Sequence, residues 1–568
     1  MSLPLYGGPW GLKQAAHLLR RATFGATKAQ IDDFVGLGMN GAINALFPGG
    51  TLPAPELPID PKTGTEWFTT GVTDANSENA DLIAYFHGWF LGQMATDNLA
   101  LSAREKTVWF LHTHFTAITS KISNSRSLYF QNELFRLYAR DEYSAQAYMN
   151  FKELTVKVSV DNAMLRLLDG DLNVKGAVNE NYARELLELY TIGRGIEGLI
   201  PGTPTEEGDY FYFTEQDVEA AARVLSGWTL DEDFVNIDPD TNLPRGKVRG
   251  NTLNASAHDN DPKVFSARFG GATIQPDPTL LNGGNPTEES ALDEIRQLIE
   301  LIYSNDATLR NICWKIYRFY VWGPHSKATD NIEWIDTNII SGMVQTMKQE
   351  YKILPVIKEL LSSKHFYRED ADPDPNIIED NNIGALIKSP LDLTLGTMRF
   401  FNISLPDMIA APEDFYSVTQ DILDSFEEQG LKFYEPYDVA GYEAYHQYPV
   451  YHRFWITPNY LANRYNLIRT MVSNPDSPLW IDTYNFIVDN FGEEPDADLL
   501  ISNIARYIYA IVADDGSSTL TEKRAAYFKA KFLNGMPEDY WITQPGAARE
   551  FTDALINIML QTPEYQLS

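Results

Sequence analysis

Apolar residues recur at intervals of three and four along most of this 568-residue chain. The pattern is clearest in ADLIAYFHGWFLGQMA, SAREKTVWFLHTHFTAI and ESALDEIRQLIELIY, each of which is long enough for several helical turns. This spacing gives a helix one apolar face, and that face must be buried against other helices. The sequence therefore predicts a mainly α fold with a multi-helical, bundle-like architecture.

One segment, from about residue 231 to 286, interrupts the helical pattern. It is rich in Asp, Asn, Gly and Pro, and the stretch VFSARFGGATI within it predicts a short β-hairpin. The acidic loop REDADPDPNIIEDNN predicts a domain boundary near residue 375. We expect either one continuous domain or three regions: a helical hairpin over 1–50, a central helical domain over 79–370 and a C-terminal helical region over 380–568 with an aromatic loop at 431–456.

The charge balance restricts the classes of partner. The chain carries 78 acidic and 45 basic residues, for a net charge of −33. This excess disfavours binding to nucleic acid or to an anionic membrane through bulk electrostatics, and we expect neither partner. It favours cationic partners, including divalent metals. The single cysteine, Cys313, lies among apolar residues and is predicted to be a small buried hydrophobe.

The N-terminal stretch MSLPLYGGPWGLKQAAHLLRRATFG has no basic segment followed by a long apolar run. It therefore does not resemble a signal peptide, and no other window reaches the apolar length of a membrane-spanning helix. These features predict a cytoplasmic protein, although export together with a partner stays open.

The stretch VNENYARELLELYTIG, residues 178–193, carries the densest group of polar residues. At about 100° per residue, one arc of the predicted helix presents Glu180, Asn181, Arg184, Glu185 and Glu188. Exposed ion pairs four residues apart explain this pattern without any function. Paired carboxylates held by an arginine and an asparagine are also what a metal site or an acid–base site requires. Asn179 is expected to cap the helix.

Histidines supply the other candidate groups. His112 and His114 lie two residues apart on a predicted helix, about 200° from each other, so at most one of them can face a given metal ion. In the loop SAHDND, His258 and Asp259 form either a metal-ligand pair, a base with its orienting carboxylate, or an ordinary turn. Another pair, the E-x-x-H of Glu443 and His446, is predicted to lie in a loop.

Eight motifs occur in an order that resembles one known family. They are HLLRRATFG, VWFLHTHF, NENYARELLELYTIG, YFTEQDVEAAARVLSGW, HDNDPKVF, WKIYRFYV, IKSPLDL and FWITPNYLANR. In this order they resemble the bacterial domain-of-unknown-function 1800 family from about residue 10 to beyond residue 560. This chain departs from the family pattern by carrying His-Thr-His in place of His-Asn-His, and Gly-Tyr-Glu in place of Gly-Trp-Pro.

The resemblance implies no activity and no catalytic residues. It implies a set of motif positions, which in this chain are His17, Arg20, Arg21, His112, His114, Asn179, Glu180, Asn181, Arg184, Glu185, Glu188, Glu215, Asp217, Arg223, Trp228, His258, Asp259, Lys263, Trp455 and Arg464. It also implies a protein partner, because members of the family are often encoded beside a domain-of-unknown-function 1501 protein.

Two functional hypotheses follow. The leading one is a non-catalytic structural or assembly protein that associates with such a partner or with itself. In it, internal polar networks are formed by Asn179, Glu180, Asn181, Arg184, Arg223, Asp259 and Lys263. The alternative is a metal- or acid/base-dependent, hydrolase-like enzyme whose catalytic groups are Glu185, Glu188 and His258. A divalent metal would then be bound by His112 or His114 together with Asp259.

Overall fold

A computed structural model describes residues 2–69, 71–73, 75–199, 209–324, 329–368, 382–510 and 520–568. Within them the chain forms 24 α-helices, so the predicted mainly α fold is confirmed. The helices are α1 Leu12–Ala22, α2 Lys28–Leu46, α3 Asn79–Met94, α4 Leu99–His114, α5 Thr119–Ile122, α6 Ser125–Tyr138, α7 Phe151–Ser159, α8 Asn162–Leu167, α9 Asn181–Glu185, α10 Glu215–Val224, α11 Glu288–Tyr303, α12 Asp306–Tyr320, α13 Thr329–Ile335, α14 Ser341–Glu350, α15 Ile353–Leu361, α16 Pro390–Phe400, α17 Pro412–Glu428, α18 Glu443–His446, α19 Pro458–Ser473, α20 Thr483–Phe491, α21 Ala497–Ile508, α22 Glu522–Leu533, α23 Tyr540–Thr543 and α24 Pro545–Leu560.

Two antiparallel hairpins are the sheets of the described part of the chain. Strand β1 (Trp228–Thr229) pairs with β2 (Lys247–Val248), and β3 (Lys263–Val264) pairs with β4 (Thr273–Ile274). The second hairpin lies where VFSARFGGATI predicts one. The loop-rich insertion around 231–286 is therefore confirmed, and its two-residue strands leave most of it irregular.

Local sequence signals account for the helix starts. Helix α10 begins with a capping box, in which the Asp217 carboxylate accepts a hydrogen bond from the Thr214 N–H at 2.8 Å. Helix α2 begins with the same device, built from Thr27 and Gln30. These side chains satisfy N–H groups that have no partner inside the helix.

Helix α4 lies in the interior, because its polar residues are buried as fully as its apolar ones. Glu105 on this helix is completely buried and is paired with Arg104 and Arg136, each at 2.7 Å. A buried carboxylate requires such partners, since an unpaired charge is strongly disfavoured in a low-dielectric interior.

Buried apolar side chains form one contiguous core that extends from Leu3 to Tyr565. Cys313 is buried in it, as predicted. The division into three regions remains a prediction, and its boundary near residue 375 falls outside the described residues. None of the described helices combines the length and apolar character needed to cross a bilayer.

Candidate functional site

The NENYARE motif forms two kinds of helix. Helix α9 ends at Glu185, and Leu186–Tyr190 continue it as a π-helix, in which each turn contains an extra residue. The Thr191 hydroxyl stabilises this winding by donating to the Leu186 carbonyl at 2.6 Å. The uniform 100° spacing assumed from the sequence therefore fails beyond Glu185.

Side chains from other elements bind the last carbonyls of the π-helix. The Leu189 carbonyl accepts from Lys315 Nζ at 2.6 Å, and the Thr191 carbonyl accepts from Asn311 Nδ2 at 2.8 Å. The Tyr190 carbonyl lies 2.9 Å from His114 Nε2. These bonds satisfy acceptors that the helix end leaves free. Because π-helical turns are rare and occur often at functional sites, the π-helix indicates a candidate functional site.

The first part of the predicted polar arc lies at the surface. Arg184 donates to both carboxylate oxygens of Glu215 at 2.7 Å and to Glu180 at 3.1 Å. The hydrogen bond to Glu215 raises the pKa of Arg184. The residues involved are partly exposed, so this cluster matches the interpretation of the arc as solvent-facing ion pairs.

The two asparagines have local structural contacts. The N-cap residue of α9 is Glu180, so the prediction that Asn179 is the cap was wrong by one position. The Asn179 side chain accepts from the Asn181 N–H at 3.0 Å. The Asn181 amide donates to the Leu168 carbonyl at 3.2 Å and so ties the helix to the preceding turn.

The end of the arc, at Glu188, faces a cavity of about 300 Å³ between the π-helix, α12 and the loop before α18. Glu188 lines it together with a second carboxylate, an amine and an imidazole, from Asp438, Lys315 and His446. Glu188 is 8% exposed and forms an ion pair with Arg194 at the cavity wall. Acidic and basic groups thus face the same cavity.

Glu185 lies one turn before Glu188. Burial raises the pKa of its carboxyl to about 7, and the negative charges of Glu188 and Asp438 act in the same direction. Arg194 and Arg184 oppose this shift without cancelling it. A carboxyl with this pKa is present in both protonation states near neutral pH, as proton transfer requires.

Lys315 on α12 is the basic counterpart. Burial lowers the pKa of its amine to about 7, the charge of Arg318 lowers it further, and Glu197 opposes the shift. Part of the Lys315 population is consequently a neutral amine near pH 7, able to accept a proton.

A tight turn presents Asp438, and α18 presents His446. The prediction that Glu443 and His446 lie in a loop was wrong, because they form the single-turn helix α18. Gly441 allows the turn to pack closely: at its φ of 97°, a β-carbon would lie 2.6 Å from the Thr116 hydroxyl oxygen. Burial lowers the pKa of His446 to about 4, so this histidine is neutral at pH 7.

His258 and Asp259 belong to a different cluster, which we call the dry network: Arg223, His258, Asp259, Lys263 and Glu294. The side chains of Lys263 and Glu294 are fully buried and form an ion pair, and His258 Nε2 lies 3.3 Å from the other Glu294 oxygen. Asp259 accepts from Arg223 Nε at 2.7 Å. Each charge in the dry network therefore has an opposite charge beside it.

Close backbone contact holds the dry network against α10. His258 Nδ1 lies 2.9 Å from the Ser226 carbonyl, and the Asp259 N–H donates to the Ser226 hydroxyl at 2.9 Å. Gly227 permits the approach, because at its φ of 85° a β-carbon would lie 2.5 Å from the backbone nitrogen of His258.

The two histidines of α4 point in different directions, as their spacing predicts. His112 stacks on Tyr434 with ring centroids 3.8 Å apart, and neither ring nitrogen has a hydrogen-bond partner among the described residues. His114 packs against Phe115 and contacts the π-helix. Burial lowers the pKa of both residues, to about 3 for His112, so both imidazoles are neutral.

The structure therefore places Glu188 at the cavity, with Glu185 one turn before it, and places His258, Asp259 and Lys263 in the dry network. Among the described residues, no group of three or more His, Cys, Asp or Glu side chains could hold a metal ion. The proposed metal ligands Asp259 and His112 or His114 remain a prediction without a shared site. Lys315 and Asp438 were not among the predicted site residues, although the motif WKIYRFYV places a lysine within an otherwise aromatic and aliphatic helix stretch.

Comparison with known proteins gives one match. A family model described as "Protein of unknown function (DUF1800)" matches residues 17–567, which is nearly the whole chain. No curated protein and no solved structure is detectably similar to it.

Proposed function

Because the chain belongs to the DUF1800 family of proteins of unknown function, whose description names no activity, we propose a function from the geometry of the cavity. The protein is an acid–base enzyme of the hydrolase type that acts on a small polar substrate, with Glu185 and Lys315 as its proton-transfer pair. One observation carries this proposal: an amine with a pKa near 7 lines a cavity that can hold a ligand, and a carboxyl with a pKa near 7 lies one helical turn before Glu188, which lines the same cavity.

Each group has a defined role in this proposal. Protonated Glu185 donates a proton to the leaving group, and neutral Lys315 removes a proton from the attacking nucleophile. Glu188, Asp438 and Arg194 orient the substrate through hydrogen bonds and charge. Since one group must be protonated and the other not, the rate is expected to show a bell-shaped pH profile centred near pH 7.

Hydrolysis of chromogenic substrates tests the proposal. The panel contains esters, phosphate esters, sulfate esters, glycosides and amides. We expect the wild-type protein to hydrolyse one class, and Glu185→Gln and Lys315→Met each to lower kcat/KM by about 10²–10⁴-fold. Glu215→Gln is the matched control, since this carboxylate lies outside the cavity in the surface pair with Arg184.

A second measurement does not depend on a known substrate. After reductive methylation with a ¹³C label, the NMR signal of Lys315, assigned by its loss in Lys315→Met, is expected to titrate near pH 7. A titration near the ordinary lysine pKa of about 10.4, or no hydrolysis in any class, contradicts the enzyme proposal.

The dry network favours a second candidate, the structural or assembly protein. Its Lys263–Glu294 pair is fully buried and its Arg223–Asp259 pair is partly buried, which is the arrangement expected of groups that fix how helices pack. In this alternative the protein binds a second protein or a second copy of the chain. Light scattering after size exclusion tests self-association, and a monomer at micromolar concentration contradicts that form of the candidate.

A further inference from the structure

A second cavity lies at the junction of α1, α16 and the end of the chain, and the proposed reaction does not use it. Its volume is about 50 Å³, and its polar lining includes Arg20, Lys388, Asp392 and Ser568. A smaller cavity adjoins it, shares Arg20, Asp392 and Ser568, and is also lined by Arg21 and Lys106. We call the two together the basic cavity.

Cations outnumber carboxylates in this lining. Arg20 donates to the backbone carbonyls of Tyr507 and Tyr509, at 2.5 and 3.4 Å, and forms no ion pair within the described part of the chain. Arg21 likewise donates to carbonyls, including those of Val321 at 2.5 Å and Ser568 at 2.6 Å. Carbonyl dipoles solvate these guanidinium groups but do not neutralise them.

The carboxylate of the lining is already engaged. Asp392 forms an ion pair with Lys106 and accepts from the Ser389 hydroxyl at 2.7 Å. A terminal carboxylate on Ser568 would lie beside Arg21 and would raise the number of carboxylates in the lining of the basic cavity to two. Arg20 and Lys388 would still have no anionic partner among the described residues.

The excess of positive charge in the lining is clearest at Lys388. The residue is 7% exposed, and its ammonium lies 3.8 Å from the centre of the Tyr565 ring without a described hydrogen bond. The nearby Arg464 is fully buried, and its Nη1 has no hydrogen-bond partner in the described part of the chain. Burial and the charges of Arg20 and Arg464 lower the pKa of Lys388.

We propose that the basic cavity binds a small oxyanion, either free inorganic phosphate or the phosphoryl group of a small molecule. Lys388 and Arg20 would donate to its oxygens, as lysine and arginine do in phosphate sites. The N-terminus of α16, which begins directly after Ser389, adds a favourable dipole. The cavity volume suits an ion of a few heavy atoms.

Titration calorimetry with inorganic phosphate tests this site in the full chain, after dialysis into chloride of matched ionic strength. We expect saturable binding with a Kd in the millimolar range or below and a higher Tm in phosphate than in chloride. Lys388→Met and Arg20→Gln are each expected to weaken binding at least about tenfold, which corresponds to about 1.4 kcal/mol. Lys247→Met, which removes a lysine outside the basic cavity, should bind like the wild type.

The design separates loss of the site from loss of the fold. Without anion, Lys388→Met is expected to be at least as stable as the wild type, because it removes a buried ammonium that has no counterion. A tighter Kd for inorganic phosphate than for phenyl phosphate identifies the free ion as the ligand, and the reverse order identifies a phosphoryl group. Absence of phosphate-dependent heat in the wild type, or binding that Lys388→Met leaves unchanged, overturns the proposal.

Discussion

The cavity beside the π-helix and the dry network contain the same kinds of side chain in different surroundings. Both combine carboxylates, a lysine, an arginine and a histidine. In the dry network, Lys263 and Glu294 are fully buried against each other. At the cavity, Lys315 faces open space and has a pKa near 7, as does Glu185, which lies one turn before the cavity-lining Glu188. Residue types therefore do not separate a structural cluster from a reactive one, whereas pairing and access to a ligand do.

The largest expected effect comes from unpairing the dry network. Glu294→Ala leaves Lys263 as a buried charge without its carboxylate partner, and should lower the free energy of unfolding by about 3–5 kcal/mol. Urea denaturation at pH 7 measures it. The double variant Lys263→Met with Glu294→Leu should recover most of the loss, because it removes both charges together. A loss below 1 kcal/mol for the single variant would place these groups in contact with water.

The next effect concerns His112, a buried group whose ring nitrogens have no hydrogen-bond partner in the part of the chain that the structure describes. The pKa of His112 is lowered to about 3, against an ordinary value of 6.5, so the unfolded chain binds more protons between these values. Stability should accordingly fall as pH decreases from 6.5 towards 3. At pH 4, His112→Phe is expected to be about 2–3 kcal/mol less affected by acid than the wild type. Denaturation at pH 7 and pH 4 measures the difference, and equal acid sensitivity of the two proteins contradicts it.

Removing the charge of Glu185 should change the free energy of unfolding in the opposite sense to unpairing the dry network. Burial raises the pKa of Glu185 to about 7, so ionising this carboxyl destabilises the folded state as pH rises from 4.5 through 7. Glu185→Gln should therefore increase stability at pH 8 by about 1–2 kcal/mol, allowing for solvent screening, with little change at pH 4.5. Urea titrations at both pH values are the measurement. Destabilisation at pH 8 would show that the carboxylate is paired like those of the dry network.

The smallest effect belongs to the surface cluster, which is neither dry nor part of the cavity. Arg184→Ala removes the pairs with Glu215 and Glu180, all partly exposed, and should lower stability by no more than about 1 kcal/mol. Raising the salt concentration should reduce this difference. A salt-independent loss above 2 kcal/mol would show that Arg184 has an interior role.

Sequence patterns were sufficient for the features that depend on local geometry. The α10 capping box and the β3–β4 hairpin follow from short-range rules. The opposed directions of His112 and His114 follow in the same way. The surface ion pairs of Arg184 were one of the two interpretations that helical spacing left open.

The site required information that spacing does not contain. The π-helix depends on donors from Lys315, Asn311 and His114, which come from two other helices. The separation of Glu188 from His258 depends on where the insertion packs, which is a tertiary property. Lys315 was missed because the functional character of a lysine in an aromatic helix arises from burial and from neighbouring charges that only the fold brings together.

The hydrogen bond from Lys315 to the Leu189 carbonyl couples the cavity to the backbone conformation of the π-helix. A ligand that draws the Lys315 amine into the cavity removes the donor on which that carbonyl depends. The π-helix then loses one of the hydrogen bonds that stabilise it, and residues 186–190 are free to return towards tighter α-helical winding. Occupancy of the cavity would thereby change the backbone several residues away. Hydrogen exchange of the amides from 189 to 193, compared between wild type and Lys315→Met, measures this coupling. Identical exchange in the two proteins would exclude it.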